Sequence, residues 1–233
     1  KFLRKNRFFL FVKGTRMSYD FSSIMRGVIW VSYTLYALTL VPQVVTNFMH
    51  RSTRGISSAT IFIYFSACLA DSLYVTLLGL PLALRISAPI AGVVGTILAG
   101  QRLYYEPDPR ERGRAAALYG ATIGIVATLL FISRWYPWHV GNLAGWIGVV
   151  LWLICQHPQL YRIQQTRSVK GFNFMCVVLS ILGDSITLIG AIAIPLPRQT
   201  LFNSLRGLAV SAIYICQFAR FHPRPWYKWC TQR

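Results

Sequence analysis

Apolar positions fall into seven runs, each of a length suited to a helix crossing a ~30 Å hydrocarbon core. They cover Gly27–Met49, Ser57–Leu82, Ile86–Leu103, Ala115–Ser133, Val140–Tyr161, Phe172–Ile194 and Leu201–Phe221. The third is short but ends in Gln101, Arg102 and two tyrosines, a signature of the membrane interface. Polar positions gather in the gaps. The longest polar gap, EPDPRERGR at 106–114, holds three of the six acidic residues and is expected to be a hydrophilic connector. No polar segment is long enough to fold as a domain of its own.

Composition sharpens the picture. Of 233 residues 55% are hydrophobic and 13% charged, against roughly 25% charged in a soluble domain. Mean hydropathy is +0.47. A soluble domain is excluded, and so is a disordered chain, which needs low hydrophobicity. The net charge of +18 would suggest nucleic acid in a soluble protein. Here the basic residues lie between apolar runs, where they orient helices and meet anionic headgroups. The expected partner is therefore a lipid bilayer, and no nucleic acid. Cys68, Cys155, Cys176 and Cys216 fall inside apolar runs and read as small buried hydrophobes, not as a disulfide framework.

Charge also gives an orientation. Loops on the side of the turns that follow Pro42-Gln43 and Pro158-Gln159 (the PQ turns), with 102–114 and the C-terminal tail, hold 13 basic residues, against four on the other side. That places the PQ turns and the C-terminus in the cytosol. The N-terminal tail, with six basic residues, runs against this assignment. It is either a juxtamembrane anchor or part of a targeting sequence. Because the sequence starts at Lys1 and not at Met, further residues are expected upstream.

The chain repeats itself. PQVVTNFMHRSTRGIS from Pro42 matches PQLYRIQQTRSVKGFN from Pro158, with Pro42/Pro158, Gln43/Gln159, Arg51/Arg167, Ser52/Ser168 and Gly55/Gly171 all 116 residues apart. Each copy is the end of one apolar run, a basic turn and the start of the next. A three-helix repeat ends on the side opposite its start, so a parallel second copy needs an odd number of linking helices. One linker gives a 3+1+3 layout of seven transmembrane helices. The expected divisions are a basic tail over 1–23, a first repeat over 24–103, connector and linker helix over 104–133, a second repeat over 134–221 and a basic tail over 222–233. Transporters built from such repeats hold their substrate near the midplane between the halves.

These residues resemble the PQ-loop family of seven-helix membrane proteins. In the second copy, Pro158-Gln159, Ser168, Gly171, Gly183-Asp184 and Leu188-Ile189-Gly190 are similar to the branch that exports cationic amino acids from lysosomes and vacuoles. Asn47 and Ser57 also stand where the family has them. The resemblance implies a small-solute transporter working by alternating access, with export of cationic amino acids coupled to protons. It also implies a vacuolar or lysosomal membrane. Another PQ-loop solute, such as cystine or a sugar, is an alternative, and so is a receptor or scaffold that moves nothing. The copies depart at Ile163, where the first has Asn47, and at Asn173, where the first has Ser57. Asp71 follows Pro42 by 29 residues while Asp184 follows Pro158 by 26, nearly one helical turn of slip.

Asp71 and Asp184 are the only acids inside the apolar runs. A charge at the bilayer centre costs ~2.5–3.5 kcal/mol on the lenient scale, so each is expected to face a wet cavity, pair with a base or stay protonated. They are the candidates for binding a proton or the cationic end of a solute. Gln43, Gln159 and Asn47 are candidate path-lining groups. Pro42 and Pro158 are expected to kink their helices and act as hinges. Arg206 is expected to snorkel to the interface, His157 to be structural or to carry protons, and most Tyr and Trp to anchor at the interface. No metal, cofactor or catalytic constellation is present in the sequence, and an enzyme is not expected.

Overall fold

The computed structural model describes residues 19–191 and 198–221. Among them the chain forms α1 (Tyr19–Leu38), α2 (Val41–Met49), α3 (Ser58–Leu77), α4 (Leu82–Tyr105), α5 (Pro109–Ser133), α6 (Pro137–Cys155), α7 (His157–Thr166), α8 (Phe174–Ala191) and α9 (Arg198–Phe221), with no strand. These are seven spans, because α1 with α2, and α6 with α7, are single apolar runs broken at a PQ motif. Five spans are both long and apolar enough to cross a membrane, and Phe174–Gly190 is apolar but shorter. The seventh, α9, is long but more polar, since Ser204, Ser211 and Gln217 are buried on its inner face.

The breaks differ from the expected kinks. Each proline lies in the first turn of a new helix, not late in a continuous one. The first turn has no intrahelical partner for its N–H groups, so proline's missing donor costs nothing there and its fixed φ suits the helix. The connector is also shorter than expected. Asp108 accepts from the Arg110 N–H at 2.9 Å and Pro109 opens α5, so the basic stretch 110–114 forms the first turns of the linker helix. At the other end α1 starts at Tyr19, inside the expected tail over 1–23. The remainder of that tail, residues 192–194 of the expected sixth run and the tail over 222–233 lie outside the described residues.

Within each half the third helix packs between the first two: α4 touches α1 and α3, and α9 touches α6 and α8. The halves join where α3 runs along α6 and α1 along α8. Lipid tails leave no hydrophobic drive between helices, so close packing and hydrogen bonds must hold them. Glycine supplies the closeness. A Cβ on Gly141, Gly145 or Gly148 of α6 would come within 2.8, 2.7 and 2.6 Å of Leu78, Tyr74 and Asp71 on the α3 side. Across the α1–α8 contact, Ser32 Oγ donates to the Gly183 carbonyl at 2.7 Å, and a Cβ on Gly190 would lie 2.7 Å from Ile29. The linker α5 lies outside both halves, with only Tyr119 and Ser133 buried and Ile123, Ile125 and Phe131 facing out, as a lipid-contacting helix should.

Candidate functional site

At the end where the PQ turns meet, each glutamine reaches into the other half. Gln43 Nε2 donates to the Gly171 carbonyl at 3.0 Å, and its Oε1 accepts from the Asn173 N–H at 3.0 Å. Gln159 Nε2 donates to the Gly55 carbonyl at 3.2 Å, and its Oε1 accepts from the Ser57 N–H at 2.7 Å. Both partner pairs are 116 residues apart, so one set of bonds occurs twice about a pseudo-two-fold axis. On that axis the glycines meet backbone to backbone. A Cβ on Gly171 would lie 2.7 Å from the Gly55 Cα, and one on Gly55 would overlap the Gly171 carbonyl. Gly171 also has a φ of +81°, which side chains other than glycine's rarely adopt. Behind them, Gln101 Nε2 donates to the Val44 carbonyl and Gln217 Nε2 to the Leu160 carbonyl, both at 3.0 Å and again 116 apart. These contacts close the PQ end.

Inside it, between the halves, lies a cavity of about 180 Å³. An engineered protein cavity of ~150 Å³ admits benzene, so this one has room for a small organic solute. Asp71 from α3, Asp184 from α8 and Arg206 from α9 line it, with Tyr36 and Trp152. Trp152 Nε1 donates to Asp71 Oδ2 at 2.6 Å. Tyr36 Oη donates to Asp184 Oδ1 and lies 3.2 Å from Ser204 Oγ. Tyr36 and Trp152 are themselves 116 residues apart, so each half sends an aromatic donor to the other half's carboxylate. Glycines make room for both acids: a Cβ on Gly148 would lie 2.6 Å from Asp71 Oδ1, and one on Gly207 would overlap the Asp184 carboxylate. The three-residue slip sets Asp71 ~4.5 Å further along its helix than Asp184.

Asp71 and Asp184 thus come together across the repeat boundary. Gln43, Gln159 and Asn47 do not line the cavity. All three are buried at the PQ end, where Gln43 Nε2 donates to Asn47 Oδ1 at 2.8 Å and Asn47 Nδ2 to Gln101 Oε1 at 3.1 Å. Pro42 and Pro158 open the helices that carry the glutamines. Arg206 corrects an expectation, for it does not snorkel: it lines the cavity and donates from Nη1 to the Trp152 carbonyl. Its guanidinium also lies over the Trp152 ring, 5.9 Å from the centroid. Cys216 is exposed, unlike the other three described cysteines, because it sits on the outer side of α9. His157 is exposed at the start of α7 and outside the cavity lining. Tyr36 and Trp152, grouped above with interface anchors, are the site residues that sequence reasoning missed. Their shared 116-residue offset was the available signal.

Two three-helix units joined by a linker helix around a central cavity that holds two carboxylates and a guanidinium define a multi-pass membrane protein of the 3+1+3 kind. A family model described as PQ loop repeat matches residues 24–84 and 140–200, two stretches that start 116 residues apart. The chain belongs to the PQ-loop repeat family. Its fold is similar to that of a eukaryotic SWEET transporter, with a TM-score of 0.66 and 13% identity, over 88% of this chain and 100% of that one. No curated protein matches it. Family and fold together support a membrane transporter of small solutes, and they are consistent with a protein that is not an enzyme.

Proposed function

We propose that the protein exports cationic amino acids from a vacuole or lysosome, coupled to protons, with its PQ turns and C-terminus in the cytosol. The observation that carries this reading is the pair of carboxylates, Asp71 and Asp184, in one cavity between the repeats. Each accepts a hydrogen bond from an aromatic side chain of the opposite half, so a change in the charge of either is felt across the repeat boundary. The groups facing Asp184 are Tyr36, itself bonded to Ser204, and the cation of Arg206; those facing Asp71 are Trp152, Arg206, Tyr74 and Cys68. Alternation opens the PQ end by breaking the four glutamine bonds and closes the cavity's other end. The segments α2 and α7 move about the breaks before Pro42 and Pro158.

The test is uptake of labelled arginine and lysine into proteoliposomes, with and without an imposed pH gradient. Gradient-driven uptake that is lost in Asp184→Asn is expected. Full pH-dependent uptake in that variant would remove Asp184 from the mechanism. No solute flux by correctly oriented protein would favour a receptor that moves nothing. Pro42→Ala and Pro158→Ala should each cut flux a few-fold with membrane insertion unchanged, and unchanged flux in both would end the hinge role.

A further inference from the structure

Among the described residues, Arg206 is the one Lys or Arg that lines the cavity. It shares that space with two carboxylates yet pairs with neither, since the ion pairs among the described residues are Arg102–Glu106 and Arg114–Glu111. Its Nη1 is held by the Trp152 carbonyl, while its Nε is buried and has no hydrogen-bond partner. A buried donor left unmade is costly, the more so on a charged group. Guanidinium geometry matches one acceptor above others, a carboxylate taking two parallel N–H bonds.

We propose that Arg206 is the subsite for a carboxylate on the transported solute, with Asp184 and Asp71 as the opposite pole for its amine. Three features build the subsite. Trp152 positions both poles, since its carbonyl holds Arg206 and its indole holds Asp71. Gly207, the next residue after Arg206, packs against the Asp184 carboxylate, which sets the cation beside the second acid. The repeat does not impose it: the position 116 residues before Arg206 is Ile90, which is 44% exposed on the outside of the bundle. A cation present in one half alone gives the cavity a polarity that its two acids by themselves lack. The solute class is therefore a small amino acid, in preference to an amine or a sugar of similar size.

This inference rests on the transport reading, and the experiment separates the two. Direct uptake of labelled L-lysine, cadaverine, L-leucine, isoamylamine and glucose is measured in proteoliposomes of wild type, Arg206→Gln and Arg206→Lys. Each amine is its amino acid without the carboxylate. Wild type is expected to prefer lysine to cadaverine by more than about 30-fold, the scale of a desolvated charge contact. Arg206→Gln should bring that ratio to within about 3-fold while cadaverine uptake persists, and Arg206→Lys should restore part of it. Equal uptake of lysine and cadaverine by wild type would overturn the subsite and leave the cationic solute in place; this comparison needs no variant to fold. An unchanged ratio in Arg206→Gln would also overturn it. Leucine preferred to isoamylamine, with no lysine uptake, would keep the subsite and overturn the cationic solute. Uptake of glucose alone would overturn both.

Discussion

The PQ end and the middle of the cavity obey the repeat to different degrees. At the PQ end the correspondence is nearly complete: Gln43 and Gln159 bind each other's turns, and Gln101 and Gln217 bind equivalent carbonyls. In the cavity the aromatic donors Tyr36 and Trp152 correspond, but the acids they bind are slipped by three residues and Arg206 has no counterpart. A closure has to meet itself on the pseudo-two-fold axis, so both copies must present the same groups. A binding site for an asymmetric solute gains from the opposite, since two identical halves would offer it two identical poles. On the proposed reading, selectivity resides where the copies disagree.

Four comparisons break or sharpen that contrast. The largest effect is expected from Asp184→Asn against Asp71→Asn. Losing one partner of a buried charge contact costs ~2–5 kcal/mol, so arginine uptake in proteoliposomes should fall by more than about 30-fold in Asp184→Asn. A smaller fall in Asp71→Asn would mark the two acids as unequal, and equal falls would restore the symmetric view. Gln43→Ala and Gln159→Ala come next. Each leaves a part-buried carbonyl and N–H in the other half without its partner, at about 1 kcal/mol apiece. The PQ end should open, which maleimide labelling of Cys176 from that side would show once the other cysteines are replaced. Equal labelling in the two variants is expected, because the bonds are equivalent. Third, Gly207→Ala should lower thermal stability by about 1–3 kcal/mol through overpacking on Asp184, more than the roughly 1 kcal/mol a helix gains from alanine. Gly148→Ala, whose Cβ meets a single Asp71 oxygen, should cost less. The smallest effect is at the site where the PQ end itself is asymmetric. Ile163 stands where Asn47 would be, which leaves Gln217 Oε1 buried without a partner. Asn47→Ile would create the same orphan at Gln101 and should cost ~1 kcal/mol in unfolding measurements, the low end for an orphaned acceptor, with transport retained.

Much of this was legible in the sequence. Run lengths gave the spans, the 116-residue offset gave the repeat and its 3+1+3 layout, and the rarity of acids in the spans pointed to Asp71 and Asp184. The basic stretch 110–114 was misassigned to a loop because charge masked a helix start that Asp108 and Pro109 encode. Gln43, Gln159 and Asn47 are polar residues at membrane depth, which the sequence cannot sort into cavity lining and cross-repeat bonding. Trp152 and Tyr36 looked like every other aromatic near an interface.

The sequence alone determined how many times the chain crosses the membrane and that it does so in two like halves, because hydropathy and periodicity are properties of consecutive residues. It could not decide which polar groups meet, since the hydrogen bonds that build the site join residues 54 to 168 positions apart, Trp152 to Asp71 and Tyr36 to Asp184 among them. Only the packing of α3 on α6 and of α1 on α8 set those partners face to face. The packing of α9 against α6 and α8 turned Arg206 inward, where its Nε is buried without a hydrogen-bond partner.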